Sequence, residues 1–145
     1  MTSTKTTLTA LLCATLLAAG HACADPGTLT ITLKQVGDAP GNLRASLYSD
    51  PATFRREDKA LQVVAVPAAN GEVQLAFKDV EPGRYAIMVY HDANADGKLN
   101  LRLGMFPTEG YGLSNNPLVF GPPKFADSAF DVDATGAAID IKLAY

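Results

Sequence analysis

The sequence predicts an all-β protein, an antiparallel two-sheet sandwich of about seven short strands with one long ordered loop. Three observations lead there. Apolar and polar residues alternate over short segments, twelve Gly and nine Pro punctuate the chain as turn residues, and no stretch repeats its apolar positions with a helical period. With 145 residues, 48% hydrophobic and 19% charged, the chain suits one compact domain and is too apolar for disorder. Fifteen acidic residues against twelve basic ones give a net charge of −3, which offers no positive field for a phosphate backbone and argues against a nucleic-acid partner.

The fold is expected to begin after residue 24. Lys5 precedes an apolar run from Leu8 to Ala19, and Ala22-Cys23-Ala24 places small residues before Asp25-Pro26. This is the plan of a secretory signal peptide, so residues 1–24 are read as a leader and residues 25–145 as a single sandwich domain, periplasmic or secreted. The apolar run is well short of the roughly 20 residues of a transmembrane segment. The alternative is a lipoprotein signal in which Cys23 is lipidated and anchors the chain. Without that anchor Cys13 and Cys23 both leave with the leader, and the domain then holds neither disulfides nor thiolate ligands. Loss of Lys5 makes the remainder one unit more acidic.

Each strand follows from its local pattern. Thr28 to Leu33 alternates strictly, with Leu29, Ile31 and Leu33 on one face and threonines on the other. Leu43 to Tyr48 alternates again, and Pro51 to Lys59 then reads as a short helical turn with Phe54 inward. Leu61 to Val66 and Glu72 to Phe77 flank Asn70-Gly71, a dipeptide that predicts a hairpin because both residues tolerate positive φ. Arg84 to Tyr90 is apolar on both faces, Tyr85, Ile87 and Val89 against Ala86, Met88 and Tyr90, as a central strand requires. Ala129 to Val132 and Ala137 to Leu143 read as a second hairpin across Asp133-Ala134-Thr135-Gly136. The segment from Asp92 to Ser128 is far longer than an ordinary connection. Phe106, Tyr111, Phe120 and Phe125 are available to pack it, with Pro122-Pro123 and the Phe120 and Phe125 pair expected to pin it down.

Two blocks carry a resemblance. Phe77-Lys78-Asp79-Val80-Glu81-Pro82-Gly83-Arg84-Tyr85 leads into Tyr90-His91-Asp92-Ala93-Asn94-Ala95-Asp96-Gly97-Lys98-Leu99-Asn100, and Glu109-Gly110-Tyr111-Gly112-Leu113-Ser114-Asn115-Asn116 follows. With these the chain resembles DUF2141, a family of secreted bacterial domains of unknown function, over nearly all of its length beyond the leader. The resemblance implies an immunoglobulin-like or prealbumin-like sandwich in an exported protein. It implies no activity. Many members read Glu-Asn-Gly-Asn-Gly where this chain reads Ala93-Asn94-Ala95-Asp96-Gly97, so the acidity of the loop is not uniform across the family.

The chemistry lies in the long loop. Asp92, Asn94 and Asp96 stand at positions one, three and five of a calcium loop, Gly97 supplies the sharp turn at six, the Lys98 carbonyl falls at seven and Asn100 at nine. Position twelve is Leu103, where a bidentate Glu would normally stand, and Glu109 replaces it only if the chain folds back. The competing reading is a tight turn in which Asp and Asn cap their own backbone. His91 is the only histidine outside the leader, so an ordinary zinc or copper site cannot be assembled within one chain. Glu109, Tyr111, Ser114 and Asn115 combine an aromatic ring, hydrogen-bonding groups and flexible backbone, a mixture suited to recognising an extracytoplasmic protein, a peptide or a sugar. The leading expectation is thus an exported, non-enzymatic binding or accessory module, with Ca²⁺ as its one candidate cofactor. The alternative is a hydrolase working through His91, Asp92 and Glu109.

Overall fold

The computed structural model describes residues 27–145, so the leader expected over Met1 to Ala24 lies outside the described residues. The chain runs through β1 (Leu29–Val36), β2 (Asn42–Tyr48), a 3-10 turn at Glu57–Lys59, β3 (Gln62–Pro67), β4 (Gly71–Phe77) and β5 (Gly83–Asp92). The long segment then holds three short strands, β6 (Leu101–Arg102), β7 (Phe106–Pro107) and β8 (Tyr111–Leu113), and a helical turn α1 (Phe125–Ser128). β9 (Phe130–Val132) and β10 (Ala137–Lys142) close the domain. All seven expected strands are present, and the three short ones are additional.

The strands form an all-β sandwich. One sheet has the order β10-β1-β4, the other β3-β2-β5-β8 with β9 also on β5, and β6 pairs with β7 in a separate ribbon. Leu29, Ile31, Leu33, Leu75, Phe77 and Ile141 of the first sheet meet Leu43, Ala45, Leu47, Ile87 and Val89 of the second in the main core. The alternation in the sequence is what places them there, since every second side chain of a strand points to the same face.

β5 is central, as its two apolar faces require. It pairs with β2 from Ala86 to Asp92, with β8 from Met88 to Tyr90 and with β9 from Gly83 to Tyr85. Tyr85, Ile87 and Val89 enter the main core, while Ala86 and Met88 join Tyr48, Phe54, Leu113, Phe125 and Ala129 in a second cluster on the outer face of the sheet. Phe54 sits edge-on to both Tyr48 and Phe125, with ring centroids 5.3 and 5.9 Å apart. The turn carrying Phe54 is tied down beside it by Glu57, which takes an ion pair from Arg44 at 2.5 Å.

Two hairpin expectations are corrected. The Asn70-Gly71 turn exists, with Gly71 at φ +94°, but β3 pairs with β2 and β4 pairs with β1, so the turn carries the chain from one sheet to the other. Ala68 N–H binds the Gly41 carbonyl, which leads the chain past the start of β2 before it turns. The apolar faces of the two strands, Val64 and Val66 against Val73 and Leu75, then pack on one core from opposite sheets instead of lying side by side. Similarly, Gly136 N–H closes the turn on Asp133 at 3.1 Å, yet β9 joins β5 and β10 joins β1 in parallel register from Leu29 opposite Ala137 to Lys34 opposite Lys142. Val132 and Ile141 both belong to the core, and opposite sheets let both be buried. A third correction concerns the loop's aromatic anchors: Phe125 is buried, but Phe120 is fully exposed and its neighbour Val119 packs in its place.

Candidate functional site

The long segment leaves β5 through His91 and Asp92, whose side chains serve different purposes. His91 is buried, with Nδ1 2.8 Å from the Tyr145 hydroxyl and Nε2 3.2 Å from the Pro40 carbonyl. A carbonyl only accepts, so Nε2 carries the ring proton and Nδ1 accepts the phenolic one. The same hydroxyl accepts the Gly37 N–H at 2.7 Å. His91 therefore plugs the end of the sandwich, with both ring nitrogens engaged.

Asp92 is buried and faces its own loop. Its Oδ1 accepts the Asp96 N–H and its Oδ2 the Gly97 N–H, each at 3.0 Å. Asn94 Oδ1 accepts the Asp96 N–H as well, and Asp96 Oδ1 accepts the Lys98 N–H at 2.9 Å. Asp96 Oδ2 takes the amide N–H groups of Asn94 and Asn100. These bonds, led by the one from Asn100, hold the Asp96 carboxyl below its ordinary pKa. Of the residues of the calcium spacing, Asp92, Asn94 and Asp96 turn oxygens onto backbone N–H groups of the loop, Lys98 supplies one of those N–H groups and Asn100 donates its side-chain amide to Asp96. Among the described residues no group of three or more His, Cys, Asp or Glu side chains has a metal-holding arrangement.

Glu109 does fold back. Its Oε1 accepts the Ala93 N–H at 3.1 Å and its Oε2 the Asn100 N–H at 3.0 Å, so one carboxylate clamps both ends of the acidic turn. Thr108 N–H to the Asn100 carbonyl and His91 N–H to the Gly110 carbonyl flank the clamp. The carboxylates of Asp92 and Glu109 both serve this turn, while the His91 ring is held by Tyr145 and Pro40.

The second block is the strand that closes the sandwich. Gly110 lies under Tyr145, where an added Cβ would stand 2.3 Å from the ring. Gly112 lies against β10, where a Cβ would stand 2.7 Å from both Ile141 Cγ2 and the Lys142 carbonyl. Between them Tyr111 exchanges backbone hydrogen bonds with Ala144. Ser114 is fully buried, accepting the Ile87 N–H and donating to the Ser128 carbonyl. Asn115 donates to the Ala129 carbonyl, and Asn116 bonds both the Asp140 carbonyl and the Lys142 N–H. Of the residues read from the sequence as a recognition patch, Ser114 and Asn115 secure the fold and Glu109 secures the loop. Tyr111, half-buried, stands opposite Tyr90 on the outer face.

The feature that sequence reasoning missed lies between the blocks. β6 and β7 form a ribbon, Leu101 opposite Pro107 and Arg102 opposite Phe106. Its tip is a turn closed by Met105 N–H on the Arg102 carbonyl at 3.2 Å, with Leu103 at φ +55° and Gly104 at φ +69°. Positive φ at both central positions is the hairpin turn that ordinarily takes Asn-Gly. Leu101, Leu103, Met105 and Phe106 are 46%, 78%, 70% and 59% exposed. The signal was in the sequence as four large apolar residues within six, a run that alone reads as core.

No curated protein matches the chain, and no solved structure does. The family described as "Uncharacterized protein conserved in bacteria (DUF2141)" matches over residues 31–140, from within β1 to within β10. The chain belongs to the DUF2141 family.

Proposed function

We propose that this is an exported, non-enzymatic binding module whose working end is the segment from Asp92 to Leu113, with the β6–β7 ribbon as the element that touches its partner. The observation that carries this reading is the exposure of Leu101, Leu103, Met105 and Phe106 on one short ribbon. Single exposed apolar residues are ordinary, but a cluster on one projection marks an interaction site. The polar groups beneath it support the same reading, because Asp92, Asp96 and Glu109 direct their oxygens onto loop N–H groups and hold the ribbon's base in one geometry. A preorganised projection loses little freedom on binding.

The test is a photoreactive amino acid placed at Leu103 and, as a control, at the exposed Val63 of β3, in protein made by its native host. Irradiation should give a discrete adduct from position 103 and none from position 63. Equal labelling from both, or none from 103, overturns the reading. Intact mass of the exported protein should correspond to a chain starting at Asp25, and a lipid-modified start at Cys23 would replace soluble export with anchoring.

A further inference from the structure

We infer that Asn70 is a modification site, where the side-chain amide is lost to attack by the Gly71 backbone nitrogen and a new carboxylate appears at the end of the sandwich that holds the acidic turn. The inference needs no partner and stands apart from the binding-module reading.

The chemistry is internal to the dipeptide. Hydroxide removes the Gly71 amide proton, the nitrogen attacks Asn70 Cγ, and the new N–C bond closes a succinimide ring as the side-chain nitrogen leaves as ammonia. Water then opens the ring at one of its two carbonyls. Opening at the side-chain carbonyl gives aspartate, and opening at the backbone carbonyl gives isoaspartate, whose main chain runs through Cβ and is one atom longer. In sum, amide and water become acid and ammonia. The closing step needs the nitrogen to reach Cγ, and a side chain on the following residue stands in the way. Glycine has none.

The structure leaves this step open at Asn70. Both residues are exposed. Gly71 holds φ +94°, and a Cβ built there would meet no atom within 4 Å, so nothing packs over the turn. Gly71 is the first residue of β4 and stands opposite Val36, beyond the break in register that follows Lys34. Its nitrogen therefore sits at the end of a ladder, where pairing opens by local fraying.

The other asparagines are guarded. Asn42 lies within β2, between Pro67 and Asp92, and precedes the buried Leu43. Asn94 and Asn100 precede Ala95 and Leu101 and give their amides to Asp96. Asn115 donates to the Ala129 carbonyl, and Asn116 is held at both ends of its amide and precedes Pro117, which has no N–H to lose.

Placement gives the change a consequence. Pro67 stands opposite Asn42 and Asn42 opposite Asp92, while Ala68 N–H binds the Gly41 carbonyl. The turn thus lies at the same end as Asp92, Asp96 and Glu109. Loss of the amide makes a chain of net charge −3 one unit more acidic at that end.

The experiment incubates the purified protein at neutral pH, folded and in parallel unfolded in guanidinium chloride, and follows each asparagine by peptide mass. In the folded protein Asn70 should lose its amide at least tenfold faster than any other asparagine, and at a rate within tenfold of its own in the unfolded chain. Aspartate and isoaspartate should both be found at position 70, and the rate should rise with pH. Asn70→Gln must close a larger ring, so ammonia release should fall at least tenfold with the melting temperature unchanged. A folded rate more than tenfold below the unfolded one overturns the inference, because the fold then guards the nitrogen. Loss at another asparagine within tenfold of that at Asn70 overturns it too, as does ammonia release unaltered in Asn70→Gln.

Discussion

Removing the Glu109 carboxylate should loosen the loop at both ends at once. In Glu109→Ala the N–H groups of Ala93 and Asn100 lose their acceptors, which now stand at 3.1 and 3.0 Å. A hydrogen bond to a charged group contributes roughly 1.5–3 kcal/mol, and water can reach a half-buried site, so the pair together should account for about 1.5–3 kcal/mol. With an unfolding entropy near 2.1 cal/mol/K per residue, a domain of about 120 residues shifts about 4 °C per kcal/mol, so the melting temperature should fall by about 6–12 °C. Glu109→Gln keeps one neutral acceptor and should lose about half as much. Calorimetry gives the global effect, and amide hydrogen exchange gives the local one, with Ala93 and Asn100 expected to exchange fastest relative to the parent. If both amides keep their protection and the melting temperature of Glu109→Ala is within a degree of the parent's, the clamp contributes nothing and the loop is held by Asp92 alone.

Other perturbations probe different parts of the same end. Tyr145→Phe leaves Gly37 N–H and His91 Nδ1 without their shared hydroxyl and should lower stability in urea by about 1–2 kcal/mol, whereas an unchanged midpoint would show the contact to be idle. The Asp96 carboxyl lies below its ordinary value of 3.8 chiefly through Asn100. Its ionised form is therefore favoured by folding, and the contribution is present above that pH and lost as the pH falls through the depressed value. A ¹³C titration of Asp96 should move upward in Asn100→Ala, and an unmoved midpoint would refute the assignment. For calcium, both Asp92 oxygens, Asn94 Oδ1 and Asp96 Oδ1 each keep a second lone pair beside the backbone N–H they accept. At tenfold its dissociation constant, millimolar Ca²⁺ would add RT ln 11, about 1.4 kcal/mol or 6 °C. Asp92→Ala with Asp96→Ala should abolish that rise, and a flat response of the parent would leave these oxygens to turn capping alone.

What the sequence made legible was local. Strict alternation from Leu29 to Leu33 and two apolar faces from Tyr85 to Tyr90 follow from a period of two, which any strand must show whatever its neighbours. Asn70-Gly71 and Asp133 to Gly136 were legible as turns for the same reason: their backbone angles are decided by the residues themselves. Partner choice was not legible, because a turn reverses the chain without saying which sheet edge is free. Val66 and Val73 could bury their side chains side by side or face to face, and only the positions of β1 and β2 decide between them. The parallel pairing of β10 with β1 is of the same kind, since alternation is blind to direction.

At the candidate site the boundary between legible and illegible falls on individual residues. Asp92, Asn94 and Asp96 stand close together in the turn, yet their spacing could not say whether N–H groups or an ion would engage their oxygens. The glycines beside Tyr111 suggested the flexible backbone of a recognition loop, but Tyr145, Ile141 and Lys142 leave no room for a Cβ there. That crowding comes from residues some thirty positions away, and no local pattern records it. Leu101 to Phe106 posed the opposite difficulty, since an apolar run announces burial and only the tertiary structure reveals that nothing in the chain buries it.

These placements bear on one another. The acidic turn, the Glu109 clamp and the His91–Tyr145 plug all make the end of the sandwich rigid, and each does so with groups that would otherwise be natural ligand contacts. Once those groups are satisfied internally, the exposed large apolar side chains of the long segment are Leu101, Leu103, Met105 and Phe106 on the ribbon, with Leu118 and Phe120 further along. Asn caps backbone N–H groups through the same oxygen geometry as Asp, so the turn does not need a carboxylate at each of its positions. On the proposed reading a polar side chain at position 103 suits the turn but removes the most exposed of the ribbon's apolar contacts.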